Sequence, residues 1–191
     1  MRPLLMVPEV IETARLTLRK PHLEDAPAIH ASVRESLAEL SPWMAWATPD
    51  YSLHGVQENT REALAHFMTH TNLRYHFHDK KTGEHIGNSG LHRIDWNVPK
   101  FEIGYWCRTS KVGQGYVTET VQALTKLALE DLGAARVEIQ CDDRNVRSSR
   151  VAERCGYKLE GILKNYERAR DGSLRDTRIY AVTQYQSVTS R

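Results

Sequence analysis

The sequence predicts an α+β fold built on a mixed sheet, and three observations lead there. Two-residue alternation dominates the middle of the chain, helical spacing follows a glycine-spaced turn, and the last elements form a hairpin. An antiparallel meander, then β-α-β-α-β, then a hairpin is not the steady alternation of a doubly wound sheet.

Leu16 and Leu18 alternate with Thr17 and Arg19, which predicts a first strand near 13 to 19 that Pro21 ends. Glu24 to Leu40 reads as one helix with acidic residues in its first turn. The turn SPWMAWATPD leads to a second helix near 55 to 70. Tyr75 and Phe77 alternate with Arg74, His76 and His78, so the aromatic pair is expected to face the core. DKKTG is a hairpin turn into a strand near 84 to 95, and FEIGYWC, after Asn97-Val98-Pro99, is the next strand. Beyond Gly113-Gln114-Gly115, residues Val117, Val121, Leu124, Ala128 and Leu132 recur at helical spacing and Gly133 caps the end. Arg136 to Cys141 is a short strand, and Asn145 to Arg154 a helix that CGY ends. Two last strands, near 157 to 168 and 177 to 185, join through Asp171-Gly172-Ser173.

At 191 residues the chain suits one domain, with an N-terminal arm at 1 to 12 and a C-terminal tail at 185 to 191. Its 40% hydrophobic and 26% charged residues are a globular balance, and a net charge of +2 argues against a dedicated nucleic-acid binder. No apolar run is long enough to span a bilayer. The prolines in MRPLLMVPEV read as a short arm, not a signal peptide. Three cysteines without paired spacing do not suggest a disulfide framework, so a reducing cytoplasm is the simplest home.

The segment CRTSKVGQGYVTETV sets a glycine turn between a strand and a helix. It lacks the Walker pattern, and Thr118 stands where a dinucleotide fingerprint needs its third small residue. Free amides at a helix start still make an anion site, because Gly113 and Gly115 leave the approach open. Lys111 can add a positive charge and the Thr118 hydroxyl can reach a phosphate oxygen.

This strand, the helix VGQGYVTET, a further strand and DDRNVRSSRVAERCGY together resemble the GNAT superfamily of acetyl-coenzyme A-dependent N-acetyltransferases. With ETARLTLRKPHLEDA, FEIGYW and DTRIYAVT, the likeness runs from about Thr13 to Thr183 and points to the RimJ/RimL-type branch. That branch acetylates N-terminal amines of ribosomal proteins, along with relatives that take other amines. The resemblance implies the acyl-CoA N-acyltransferase fold, a mostly antiparallel mixed sheet splayed at the coenzyme site and flanked by helices. It implies acetyl-CoA as co-substrate, no metal, and pyrophosphate on the backbone amides of residues 111 to 116, a stretch that includes Lys111, Val112, Gly113, Gln114, Gly115 and Tyr116. Arg108 lies nearby; Ser110 stands where the family has Gln or Arg. The strand Tyr105, Trp106, Cys107 would part from its neighbour and bond the pantetheine arm. Asn145 would bind that arm or the acetyl carbonyl, cap the following helix, or do both.

The acceptor amine must be neutral to attack, and an α-amine titrates near 7.7 to 8.0, so a modest base suffices. By resemblance Glu167 is the first candidate base and Glu102 the second. As alternatives, Glu167 is a surface partner of Arg168 or Arg178, and Glu102 a hydrogen-bonded strand residue. The family's tyrosine acid is replaced by Ala152, which leaves Ser148 to stabilise the departing thiolate. Arg144, Arg147, Arg150 and Arg154 form a helical stripe that either meets the coenzyme's 3′-phosphate, with Arg150 as the contact carried forward, or is solvated beside Glu153. Trp43 and Trp46 either line the acceptor site or pack the first helices.

Nine histidines include the pairs His66/His70 and His76/His78, for which solvated faces are the simpler reading than zinc. Cys141 and Cys155 suit buried positions rather than covalent catalysis. By the resemblance the expected acceptor is a protein N-terminal amine, a ribosomal protein's included, or else a small-molecule amine. A non-catalytic acyl-CoA-binding or ribosome-associated module is the reading of another class. Relatives often pair as homodimers, and neither membrane nor nucleic acid is expected as a partner.

Overall fold

The computed structural model describes residues 6 to 185. Leu16 and Leu18 are both fully buried, as their alternation requires, and lie in β2 (Leu16–Arg19). The strand starts later than residue 13 because Thr13 turns the chain. Its N–H reaches the Leu16 carbonyl at 2.9 Å and its Oγ1 accepts from the Leu16 N–H at 2.9 Å. Part of the expected N-terminal arm therefore pairs with β2 as an edge strand, β1 (Val10–Glu12).

The expected helix 24 to 40 is broken. A 3-10 turn (Leu23–Asp25) precedes α1 (Ala26–Glu35), and α2 (Leu37–Leu40) follows. The break falls at Ser36, with φ −106° and ψ 9°. Its hydroxyl donates to the Ser32 carbonyl at 2.7 Å and accepts from the Thr109 N–H at 2.9 Å. Asp25, one of the acidic residues expected in the first turn of that helix, lies in the 3-10 turn and is buried. The next helix, α3 (Leu53–Met68), starts on a Ser52 cap that accepts from the Gly55 N–H at 3.1 Å.

The meander is β3 (Leu73–Asp79), β4 (His85–Asp95) and β5 (Lys100–Cys107), all antiparallel. After the glycine turn come α4 (Tyr116–Lys126), a π-turn (Leu127–Asp131) and β6 (Arg136–Asp142). The chain then forms α5 (Val146–Arg154), β7 (Lys158–Arg168) and β8 (Leu174–Val182), the last starting three residues ahead of expectation. The eight strands make one sheet in the order β1-β2-β3-β4-β5-β6-β8-β7. This is the α+β architecture the sequence predicts. No helix of the described residues is long and apolar enough to cross a membrane.

Among the described residues only β5 and β6 pair in parallel, from Lys100↔Arg136 to Glu102↔Glu138. Pairing of β4 with β5 continues to Cys107, and of β6 with β8 to Asp142. Beyond Glu102 and Glu138 the two halves of the sheet therefore part, each still anchored on its far side. The ends of β5 and β6 face one another with unpaired edges.

One face of the sheet is apolar. Tyr75, Phe77, Phe101, Ile103 and Ile139 pack there with Val121 and Leu124 of α4 and Ala152 of α5. The opposite face is polar yet covered by α1 to α3. His76 and His78 lie on it at 1% and 7% exposure, so the expected solvated strand face is corrected to a buried one. Alternation separates two faces but does not say which is wet, and helices here cover both.

Candidate active site at the parting of the strands

The glycine turn enters α4 with Gly113 at φ +81° and Gly115 at φ +80°, the left-handed region that glycine adopts freely. A Cβ at Gly113 would meet nothing, so backbone geometry rather than crowding requires glycine there. The amides expected to face an anion shift along the chain. Lys111 N–H bonds the Arg108 carbonyl at 3.0 Å and Val112 N–H the Thr109 carbonyl at 3.2 Å. The amides from Gly113 to Thr118 have no partner among the described residues, and the first capped one is Glu119, on the Gly115 carbonyl at 3.0 Å. Six consecutive free donors at a helix start fit a pyrophosphate.

The two cations expected beside this turn are engaged elsewhere. Lys111 Nζ sits 2.6 Å from Glu84, and Arg108 pairs with both Glu35 and Glu84. Tyr116 points away, its hydroxyl 3.3 Å from Asp79. Gln114 closes the turn through Nε2 to the Ser110 carbonyl at 3.2 Å. What fixes the turn is Arg15, which sequence reasoning missed. It donates to the Gln114 carbonyl at 2.8 Å and to Glu119 at 2.7 Å, with its guanidinium 4.5 Å above the Tyr116 ring. Burial pushes the Glu119 carboxyl up, but bonds from Thr13 and Arg15 win and hold it below its ordinary value.

Tyr105 and Cys107 project from β5 toward the apolar face, Trp106 toward the polar one. Tyr105 reaches across the gap to α5, its hydroxyl 2.9 Å from Ser148 Oγ and 3.1 Å from the Ser148 carbonyl. Burial raises the Tyr105 phenol above its ordinary value, so it stays protonated. Asn145 caps α5, its Oδ1 accepting from the Ser148 N–H at 3.1 Å. Ala152 is fully buried, leaving no room for a tyrosine. Arg150 lies exposed on α5, while Arg144 of the same stripe pairs with Asp142 at 3.0 Å and Glu153 accepts from Tyr180 at 3.1 Å. Burial pushes the Cys107 and Cys155 thiols up to about 12, so neither offers a thiolate.

The carboxylate candidates stand on the β6 side of the polar face. Glu102 pairs with Arg93 at 3.0 Å and lines a cavity of about 380 Å³ with Glu138, Gln140 and Tyr166. Burial raises its pKa, Arg93 opposes, and the charges of Glu138 and Glu167 add to the rise. Glu167 is 47% exposed and lies 3.9 Å from Arg175, not on Arg168 or Arg178. Arg175 also holds the Pro42 carbonyl at 3.1 Å and Asp142 at 3.5 Å, so it ties the loop after α2 to the ends of β6 and β7.

On the other side, α1, α3 and the loop at 44 to 52 cover a cavity of about 500 Å³ over β3, β4 and β5. Gly104, Tyr105 and Trp106, where β5 leaves β6, are part of its wall. Trp46 lines it, 42% exposed and 6.0 Å from the Trp106 ring; Trp43 does not. Neither Glu167 nor Glu102 is in its wall. Its wall holds Arg74, His76 and His92, none of them among the site residues expected from the sequence. His76 Nδ1 is 2.9 Å from Asp25, and since a carboxylate only accepts, that nitrogen carries the proton. Burial pushes His76 below its ordinary value. For Asp25, burial opposes ionisation, but bonds from His76 and His78 hold the carboxyl well below the usual range. Among the described residues no group of three His, Cys, Asp or Glu side chains has the arrangement to hold a metal ion.

The acetyltransferase (GNAT) domain family matches residues 15–158. The chain is 28% identical over 178 residues to the uncharacterised N-acetyltransferase p20 of Bacillus licheniformis, spanning 91% of this chain and 96% of that one. It is 37% identical over 101 residues to the ribosomal-protein-serine acetyltransferase of Escherichia coli K12, 53% of this chain and 56% of that one. Among solved structures, RimL, a ribosomal alpha-N-protein acetyltransferase bound to coenzyme A, superposes with a TM-score of 0.86 at 26% identity, over 92% and 98% of the two chains. A parallel strand pair that opens beside a helix start with free amides, inside a match of this extent, makes the chain a member of the GNAT family of acetyltransferases.

Proposed function

We propose that this enzyme moves the acetyl group of acetyl-CoA directly to the N-terminal amine of a protein, with ribosomal proteins as the first acceptors to try. The likeness to the ribosomal-protein-serine acetyltransferase and to RimL carries the choice of acceptor. For the donor, the free amides of residues 113 to 118 suit the pyrophosphate, and the unpaired edge of Tyr105 to Cys107 suits the amide-bearing arm. Acetyl-CoA supplies an activated acyl group on a good leaving group; the protein supplies position and a proton acceptor.

In this reading Glu167 takes the proton of the attacking amine, directly or through water. Its half-exposed carboxylate on the polar face supports that role, and Glu102 is the reserve candidate. Ser148, steadied by Tyr105 at the start of α5, stabilises the departing thiolate. His76 is not the base. The register His76↔Asn88↔Trp106 sets it two strand spacings, roughly 10 Å, from β5.

The test is thiol release from acetyl-CoA with a panel of amines, products read by mass spectrometry. Acetylated α-amines on peptides that mimic ribosomal-protein N-termini are expected. Preference for polyamines or aminoglycosides would overturn that acceptor, and coenzyme binding without turnover would favour a non-catalytic module. One observation favours a small-molecule amine as second reading: a cavity of about 500 Å³ is of small-ligand size. The first reading implies a cytoplasmic enzyme. A homodimer would find its surface on edge strand β7, where Leu159, Ile162 and Tyr166 are exposed. Sedimentation of Ile162→Lys against the wild type tests it.

A further inference from the structure

We propose that Arg74 forms an anion subsite in the larger cavity, so that the acceptor amine carries a carboxylate or phosphate group. The inference rests on reading that cavity as the acceptor pocket.

The argument starts from the company arginines keep in this fold. Arg108, Arg136, Arg175 and Arg178 are, like Arg74, partly or wholly withdrawn from water. Each of those four has a carboxylate within ion-pair range: Glu84, Glu160, Asp142 and Asp143, respectively. Arg74 has none among the described residues. Its only side-chain bond there is from Nη1 to the neutral Oδ1 of Asn59. Removing a guanidinium from water without a counter-charge is costly, and arginine does not escape by giving up its proton. Burial pushes its pKa down, and only the more distant Tyr51 and Glu62 push back.

The surroundings leave that charge free for a ligand. Asp50 is the one acidic side chain lining the cavity among the described residues, and it stays beyond ion-pair range of Arg74. The other basic groups of the wall are imidazoles that burial keeps neutral, His92 pushed down to about 4. Arg74 is therefore the cavity's charged cation at neutral pH.

Its position faces the reaction. The register runs Arg74↔Gly90↔Gly104 straight across the sheet to the place where β5 leaves β6. A Cβ on Gly90 would lie 2.4 Å from the Leu73 carbonyl oxygen, and one on Gly104 would lie 3.1 Å from the His92 ring. The His92 ring thus lies over Gly104, about two strand spacings, roughly 10 Å, across the sheet from Arg74. An amine beside Gly104 with an anionic group extended toward β3 would meet a fork suited to two oxygens.

The test compares acceptors matched except for charge. One pair is a peptide with Asp or Asn at its second position; the other is an aminoalkyl phosphate and the corresponding amino alcohol. Each is assayed with wild type, Arg74→Gln, Arg74→Lys and Arg74→Glu, and coenzyme affinity is measured for each variant as a check on folding. We expect wild type to favour the anionic member of at least one pair by about tenfold or more in kcat/KM. The ratio should fall near one in Arg74→Gln, recover partly in Arg74→Lys, and invert in Arg74→Glu. Which pair discriminates tells carboxylate from phosphate. A ratio near one in wild type, or one that Arg74→Gln leaves intact, overturns the subsite alone. Should no amine of either charge be acetylated while the coenzyme still binds, the acceptor reading falls and the subsite with it.

Discussion

On the side proposed for the donor the chain offers backbone: free amides from Gly113 to Thr118 and the open edge of β5. On the side proposed for the acceptor it offers side chains: Arg74, His76, His92, Trp46 and the carboxylates of Glu102 and Glu167. The difference has a chemical reason. A donor common to the whole family needs the same contacts in every member, and backbone supplies them whatever the neighbouring side chains are. An acceptor that differs between members must be told from its competitors, and only side chains can do that.

The largest effect expected tests whether the acceptor side does the proton chemistry. Glu167→Gln should lower kcat by about 100- to 10,000-fold, the usual worth of a positioned base, while coenzyme affinity holds. Steady-state kinetics beside a titration with CoA checks both halves. A few-fold loss in Glu167→Gln with a large one in Glu102→Gln would move the role to Glu102, whose carboxyl burial already raises.

The acceptor side should also be the acid-sensitive side. Burial pushes His85 to about 3 and His92 to about 4, against an ordinary value near 6.5. Below 6.5 the unfolded chain binds protons that the folded protein refuses. Stability is therefore full above 6.5 and is lost as pH falls toward 4. Glu102 works the other way, since its folded form holds a proton more readily, but in the lower range of carboxylates. Each histidine should cost on the order of 2 kcal/mol by pH 5. Urea titrations at pH 7 and pH 5 measure this, and His92→Asn should flatten the slope.

These histidines also mark where the sequence stops being legible. The glycines of the donor turn could be read directly, because a positive φ leaves few other choices of residue. The cap at Asn145 could be read from residue type and place. His76 and His78 could not, since their burial depends on helices about 10 to 50 residues away that cover the second sheet face. The break at Ser36 was hidden for a like reason, as its hydroxyl takes the N–H of Thr109 from the far side of the chain. Arg15 lies within the strand expected near 13 to 19, and only the fold brings Gln114 and Glu119 to it. Local geometry is written locally; partners brought together by topology are not.

A smaller effect separates the two sides from the donor end. Gly115→Ala forces a side chain into φ +80°, a strain of about 1–2 kcal/mol. If the turn holds the pyrophosphate, that strain should appear as roughly a tenfold rise in KM for acetyl-CoA. KM for the acceptor should stay put, because the turn lies on the opposite side of the parting. A matching rise in both constants would mean that the two sides are coupled and the division drawn above is too sharp.

The smallest effect concerns a contact that bridges the gap from β5 to α5. Tyr105 and Ser148 share a neutral hydrogen bond at 2.9 Å, worth about 0.5–1.5 kcal/mol. Ser148→Ala should therefore lower kcat by roughly three- to tenfold and leave both KM values near those of wild type. Tyr105→Phe should do slightly less, since it keeps the ring that fills the gap and removes only the hydroxyl. The double variant decides between two accounts. If the hydroxyls act as a unit on the departing thiolate, the second substitution adds little to the first, because the pair is already broken. Multiplying losses would instead mean that each hydroxyl acts alone, with Ser148 at the thiolate and Tyr105 merely packing the gap.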